Sequence, residues 1–385
     1  MSESAAPVDG EEHRAGWFEL FFDLVFVVTV AVLAHGLHGD PDAGDFGTFL
    51  VLFFPAWWAW ANLMVTVNVF GSAAPRMQAV LLGVMPGLGL MAAAAPEGLG
   101  DRAWAYALGA AWVRLGLFGI WWGHARHRDN PLPLWRPLAY CLAPAVIWGV
   151  SAALPSPERF VLWGLGIALE ATLLAVRAGV TATFYERMSI EHLVERIGLF
   201  VVIVLGESVF TVVSTLADHF TGASAAAAFL GFAVVAELAL AFFRWGTESA
   251  ARGLDRAQSG GADTAIRDTV MYLPFVLIAG ITVLSGALGT AVADPDDHLP
   301  PGARWALCGG VLAFYTANAA ISLRYGDPAR TVLDWYGPSL VLVLAALLPA
   351  SVLLPAWGAV GVAAAVVLAL TALAAQRVRS RARAG

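Results

Sequence analysis

Apolar stretches of about 18 to 25 residues, separated by short polar connections, recur along the whole chain. A helix of this length crosses the roughly 30 Å hydrocarbon core of a bilayer. Twelve stretches fit, and they begin near Trp17, Gly47, Met77, Ala103, Leu138, Phe160, Ile197, Ala223, Thr269, Trp305, Trp335 and Trp357. The pattern predicts an all-α, polytopic membrane protein with about twelve transmembrane helices.

Composition supports the same class, because 59% of the residues are hydrophobic and only 13% are charged, against about 25% charged in soluble domains. The acidic head up to Arg14 is too polar for a secretory signal, so the first span is expected to remain in the mature protein. The two cysteines, Cys141 and Cys308, lie inside predicted spans and indicate neither a disulfide framework nor a metal site. We therefore expect no cofactor and no metal.

The arginines predict the orientation, since short cytoplasmic loops collect positive charge. All 22 basic residues are arginine. With the amino terminus placed inside, only Arg102, Arg159 and Arg304 fall on the outer side. The sequence thus predicts a multi-pass protein with both termini in the cytoplasm and an even number of spans.

A short repeat divides the chain nearly in half. Arg14-Ala-Gly16-Trp-Phe18 precedes span one, Arg196-Ile-Gly198-Leu-Phe200 precedes span seven, and a Glu-His pair precedes each. Because six is an even number, two six-helix repeats would have the same orientation in the membrane. The predicted organisation is a cytoplasmic tail (1–16), a first half (17–182), a cytoplasmic linker (183–195), a second half (196–376) and an arginine-rich cytoplasmic tail (377–385).

Two segments resemble the signature stretches of the bacterial low temperature requirement A family. They are Glu19-Leu-Phe-Phe-Asp23-Leu-Val-Phe-Val and the run from Glu195 to Ser208, which contains Gly206-Glu207. The resemblance extends over the length and span pattern of essentially the whole chain. It implies a polytopic protein of the bacterial cytoplasmic membrane. It implies no particular biochemical activity, because the family name records a growth phenotype in the cold.

Ionisable side chains inside a span are costly and indicate function by default. The candidates for proton or cation handling are Asp23, Glu207, Glu19, Glu237 and Glu170. The candidates for gating or counter-charge are Arg14, Arg196, Arg114 and Arg244. The candidates for a polar lining are Asn62, Ser208, Thr211, Ser214 and Asn318.

A surplus of acids is the main argument for ion handling. The five acids within spans face three arginines, at positions 114, 177 and 244, so at least two carboxyl groups lack a buried cation. Such groups would be protonated, hydrated or bound to a cation. We expect Asp23, Glu207 and Glu237 to converge in a central polar cavity, with Arg114 or Arg244 as counter-charges. The alternative is that each acid pairs with an arginine and only holds spans together.

These features favour a secondary transporter or a proton- or cation-coupled permease. An ion channel, a membrane-embedded enzyme acting on a lipid-soluble substrate, and a non-catalytic scaffold or sensor stay open. An enzyme is disfavoured, because the sequence shows no activated nucleophile and no cluster of His or Cys ligands. The expected partners are the lipid bilayer and a small ion or small-molecule substrate. There is no nucleic-acid signature, and a homodimer stays open.

Overall fold

The computed structural model of the chain describes residues 16–72, 74–126, 133–175 and 187–384. These residues form twelve helical runs without a β-strand. Their principal helices are α1 (Trp17–His35), α2 (Ala43–Phe70), α3 (Pro75–Ala94), α4 (Ala103–Ala125), α5 (Ala143–Ala152), α6 (Glu158–Ala175), α7 (Ile190–Asp218), α8 (Gly222–Ala241), α9 (Leu273–Ala293), α10 (Pro301–Arg324), α11 (Ala329–Leu342) and α12 (Ala356–Ala384).

Ten of these runs are long and apolar enough to cross a membrane. The predicted all-α membrane protein is confirmed, while the count of twelve spans stays a prediction. Of the other two runs, α6 carries the charged residues Glu158, Arg159 and Glu170, and α5 is short. The predicted linker overlaps α7, which already begins at Ile190, and its residues 183–186 lie outside the described part. The predicted tail 377–385 overlaps α12, which continues to Ala384.

Three wide helical turns precede prolines. The π-helical turns Leu138–Leu142, Asp268–Tyr272 and Val343–Leu347 each lead into a helix whose second residue is proline. Proline has no N–H, and its ring collides with the carbonyl four residues earlier. A locally wider turn accommodates that collision without ending the helix. The runs that contain α5, α9 and α11 therefore continue across their prolines.

Glycines let two helix pairs touch along their backbones. A Cβ atom at Gly109 on α4 would lie 2.5 Å from the carbonyl oxygen of Gly87 on α3. A Cβ atom at Gly310 on α10 would lie 2.7 Å from the carbonyl oxygen of Gly280 on α9. Small residues permit such close helix packing in membranes. The pairs α3–α4 and α9–α10 thus each cross glycine against glycine.

Aromatic side chains of α2 pack between α7 and the start of the run that contains α9. Trp60 stacks near Phe200 of α7 with ring centroids 4.2 Å apart. The indole Nε1 of Trp57 donates a hydrogen bond of 2.7 Å to the carbonyl of Met271. Both tryptophans are fully buried. This packing brings α1, α2 and α7 together and positions the first cluster of charged residues.

Candidate functional site

A buried ion cluster joins α1 to α7. Arg196 donates from Nη1 to Glu19 Oε2 and from Nη2 to Asp23 Oδ1, the latter at 2.6 Å. Asp23 is 0% exposed and Arg196 is 1% exposed. Glu19 and Asp23 are four residues apart and share one face of α1, so a single guanidinium reaches both carboxylates. Of the predicted counter-charges, Arg196 is the one that pairs with Asp23. The expectation that Arg114 or Arg244 would do so is wrong.

Neutral donors complete the cluster. Trp60 Nε1 donates to Asp23 Oδ1 at 2.8 Å, and His192 Nε2 lies 2.9 Å from Glu19 Oε2. Asn68 Nδ2 lies 3.1 Å from His192 Nδ1. The network assigns the His192 proton to Nε2, because Nδ1 accepts from the Asn68 amide. His192 then bridges the Asn68 amide and the Glu19 carboxylate.

Sequence reasoning missed Trp60, Asn68 and His192 as members of this cluster. The repeated Glu-His pair at Glu191-His192 was the available signal for the histidine. Arg196 was placed at the cytoplasmic entrance, whereas it lies almost two turns inside α7, which begins at Ile190. That earlier helix start is the reason for its burial. Arg14, the corresponding residue before span one, lies outside the described residues.

A second buried pair joins α4 to α6. Arg114 donates to both carboxylate oxygens of Glu170, from Nε at 2.8 Å and from Nη2 at 2.6 Å. Its Nη1 also donates to the carbonyl of Ala110 at 3.0 Å, and its Cζ lies 5.0 Å from the ring centroid of Trp148. The bidentate geometry is the strong form of the arginine–carboxylate interaction. Glu170 is thus charge-compensated.

The Arg114–Glu170 pair borders a cavity of about 90 Å³, here called the first-half cavity. Its walls come from α2, α4, the run that contains α5, and α6, and the start of the α9 run closes one side. Asn62 lines this cavity, but its Nδ2 donates to the carbonyl of Trp58 at 2.7 Å. The buried Nε and Nη1 of Arg136, also in the wall, have no hydrogen-bond partner among the described residues.

A larger cavity of about 310 Å³, here called the second-half cavity, lies between the α8 run, α10, α11 and α12. Tyr315 and Thr371 line it and are 7% and 9% exposed. Their hydroxyl groups have no hydrogen-bond partner among the described residues. Glu237 of α8 precedes the lining residue Ala241 by about one helical turn, and its buried Oε2 likewise has no hydrogen-bond partner within the described chain. Asn318 also lines the cavity, with its amide donating to the Phe314 carbonyl at 2.8 Å.

The mouth of the second-half cavity carries both signs of charge. Arg252, Arg377, Asp327 and Asp334 line it together with Tyr325. The Tyr325 ring lies directly on Gly253, where a Cβ atom would approach a ring carbon to 2.1 Å. Burial raises the pKa of Tyr325 to about 12. The phenol therefore stays protonated at neutral pH.

The remaining candidates do not gather in one place. Asp23, Glu207 and Glu237 line neither cavity. Glu207 is half-buried and pairs with no described side chain. Beside it on α7, the hydroxyls of Ser208 and Ser214 donate to carbonyls of their own helix, those of Val204 and Thr211.

Arg244 and Thr211 also lie away from a shared site. Arg244 is exposed, with its guanidinium 5.9 Å from the ring centroid of its neighbour Trp245. Thr211 is buried where α7 approaches Gly289 of α9. Neither cavity brings Asp23, Glu207 and Glu237 together as predicted, and Asp23 instead contacts Arg196 and Trp60.

Comparison with known proteins identifies relatives of this chain. The family model described as "Bacterial low temperature requirement A protein (LtrA)" matches residues 14–372. The "Uncharacterized protein RA0937" of Rhizobium meliloti (strain 1021) is 31% identical over 214 residues, which are 52% of this chain and 51% of the relative. The chain thus spans about half the length of this curated relative.

Proposed function

This chain belongs to the bacterial low temperature requirement A (LtrA) family, and from that premise we propose that it is a secondary transporter of the bacterial cytoplasmic membrane. Its substrate site is the second-half cavity. Glu237 couples transport to a proton or another cation. The observation that carries the proposal is a pair of buried polar atoms in the cavity wall, the hydroxyls of Tyr315 and Thr371, that have no hydrogen-bond partner among the described residues. The Oε2 of Glu237, one helical turn before the lining residue Ala241, also lacks a partner within the described chain.

Physical cost is the reason to connect those atoms with a ligand. A buried donor or acceptor without a partner costs about 1–3 kcal/mol. A cavity of about 310 Å³ falls at the lower end of the range for small-molecule sites. Apolar and aromatic walls with a few converging polar groups are the usual composition of such sites. A bound polar solute, together with water, would satisfy the hydroxyls of Tyr315 and Thr371.

The transport proposal includes twelve spans in two repeats of the same orientation, with both termini in the cytoplasm. Two similarities between the halves support it. The glycine crossings of α3 with α4 and of α9 with α10 are alike. The fifth and eleventh runs each pass through a π-helical turn into an Xaa-Pro pair, at Pro144 and Pro349. In this orientation, Arg252, Asp327 and Arg377 place the mouth of the second-half cavity on the cytoplasmic side.

Alternating access would then move one half against the other, as in transporters built from repeats. The Arg196 cluster is suited to the contact between the halves, because it links α1 of the first half to α7 of the second. Its hydrogen bonds are short and buried. In the proposed cycle, Arg196 serves as the counter-charge of Glu19 and Asp23, and Glu237 changes its protonation as the cavity is loaded.

The test is flux in proteoliposomes that contain the full-length protein and a mixture of small solutes, under an imposed pH or voltage gradient. Glu237→Gln should abolish proton-coupled flux, and Tyr315→Phe should reduce it. Tyr336→Phe is the matched control, since Tyr336 bonds Thr316 at 3.1 Å and does not line the cavity. Melting temperature and gel filtration check that each variant folds.

Four outcomes would contradict the proposal. Loss of flux in Glu207→Gln but not in Glu237→Gln would move proton handling to α7. Voltage-driven ion current that needs no solute and does not saturate would favour a channel. Chemical conversion of a solute in place of its movement would favour an enzyme, and wild-type protein without any flux would leave only the scaffold or sensor.

A further inference from the structure

The two cavities are built from corresponding helices of the two halves. Each cavity is lined by the second, fourth, fifth and sixth helices of its half. In the first half these are α2, α4, the α5 run and α6, and in the second half they are the α8 run, α10, α11 and α12. On α4 the lining residues are Arg114, Leu117 and Trp121, and on α10 Tyr315, Asn318 and Ser322 line the second cavity with the same spacing.

The glycine crossings set the same register on α4 and α10. Gly109 precedes Arg114 by as many residues as Gly310 precedes Tyr315. Because both glycines lie at the close crossing with the preceding helix, Arg114 and Tyr315 hold corresponding positions. The first-half cavity is therefore a structural counterpart of the proposed substrate site.

The chemistry at these corresponding positions differs. In the first half, Arg114 supplies a guanidinium and Glu170 of the sixth helix supplies its carboxylate, and only about 90 Å³ stays empty. In the second half, Tyr315 replaces the arginine, and the sixth helix presents Leu370 and Thr371 to the cavity. The space there is about 310 Å³. At this position the first half contains the guanidinium of Arg114, whereas the second half contains an empty cavity.

An acid still lies beside that room. Glu237 lies one helical turn before Ala241, which lines the cavity, and its buried Oε2 has no hydrogen-bond partner among the described residues. Two arginines, Arg252 and Arg377, line the cavity near its mouth, and Arg377 donates a hydrogen bond to the Asp334 carbonyl. The carboxylate of Glu237 would repel an anionic ligand inside the cavity, whereas a cationic ligand would compensate the charge of that carboxylate.

Resting on the proposed function, we infer that the second-half cavity binds a small organic cation, an amine or guanidinium on a short apolar skeleton. Its charged group takes the place that the Arg114 guanidinium holds in the first half. Tyr315 and Thr371 receive its N–H groups, and Glu237, which lies one helical turn before the lining residue Ala241, compensates its charge through water. Trp245, Phe314 and Trp335 line the cavity and offer aromatic faces, which attract cations.

The experiment uses probes of matched size and different charge, added to the purified full-length protein in detergent. n-Butylammonium and guanidinium should raise the melting temperature in a saturable manner, because a ligand that binds only the folded protein stabilises it. Butyrate and n-butanol should leave it unchanged at the same concentrations. Glu237→Gln should weaken n-butylammonium binding at least tenfold, and Tyr315→Phe several-fold.

Two further variants complete the test. Tyr336→Phe, outside the cavity, should bind n-butylammonium like the wild type. Tyr315→Arg combined with Thr371→Glu copies the first-half pair into the second-half cavity and should abolish binding. If this double variant does not fold, Glu237→Gln still decides the matter. Stronger binding of butyrate or butanol, or cation binding that is insensitive to both Glu237→Gln and Tyr315→Phe, would overturn the inference.

The two proposals fail in different ways. Glu237-dependent binding of n-butylammonium without any flux would retain the ligand class and refute transport. Flux that depends on Glu237, together with absence of binding by either cation, would retain transport and refute the ligand class.

Discussion

Replacing Arg196 by methionine should destabilise the protein strongly. The variant removes two hydrogen bonds between charged groups, to Glu19 and to Asp23. Each such bond contributes about 1.5–3 kcal/mol, and loss of one partner of a buried ion pair costs about 3–5 kcal/mol. Trp60 and His192 still donate to the two carboxylates. We therefore expect a decrease of about 3–4 kcal/mol in the free energy of unfolding.

The assay is reversible unfolding in mixed micelles, followed by tryptophan fluorescence. Arg102→Met is the control, because Arg102 forms a half-exposed pair with Glu97 at 3.4 Å, and such pairs contribute about 0–1 kcal/mol. Glu19→Gln and Asp23→Asn added to Arg196→Met should restore much of the loss, since no uncompensated charge then stays buried.

Two results would refute this reasoning. If Arg196→Met destabilises the protein no more than Arg102→Met, the cluster does not hold α1 to α7. If the triple variant is no more stable than Arg196→Met, uncompensated buried charge is not the cause of the loss.

Other predictions concern packing, charge and pH. Gly310→Ala should lower the free energy of unfolding by about 1–3 kcal/mol through overpacking. Gly309→Ala should not, because Gly309 faces open space. Equal effects of the two variants in the same assay would contradict the close crossing of α9 and α10. Arg114→Met should lower the free energy of unfolding by about 3–5 kcal/mol, and adding Glu170→Gln should recover part of that loss. If the losses of the two single variants simply add in the double variant, the ion pair is contradicted. Burial lowers the pKa of His38 below its ordinary 6.5. The unfolded chain therefore binds the proton more readily, and the stability of the protein should fall as the pH drops below about 6.5. His38→Leu should flatten the dependence of the melting temperature on pH, and an unchanged slope would contradict this role of His38.

Sequence alone determined the class of protein, because the length and apolarity of a span are local properties. The predicted starts near Trp17 and Ala103 coincide with the starts of α1 and α4. The two quoted segments were enough to indicate the family. The shared face of Glu19 and Asp23 also followed from helical spacing. The number of spans, the orientation of the repeats and the roles of the acids stay predictions.

Tertiary structure alone decided which charges meet. Arg196 pairs with Asp23, and Arg114 with Glu170, because helix packing and rotation bring together residues far apart in the chain. Counting charges along the sequence could not supply this, since an arginine near a predicted span end can lie in a loop or inside the helix. The second-half cavity likewise depends on four helices that each contribute a few side chains. Its volume is what their packing leaves unfilled, a quantity that no single segment encodes.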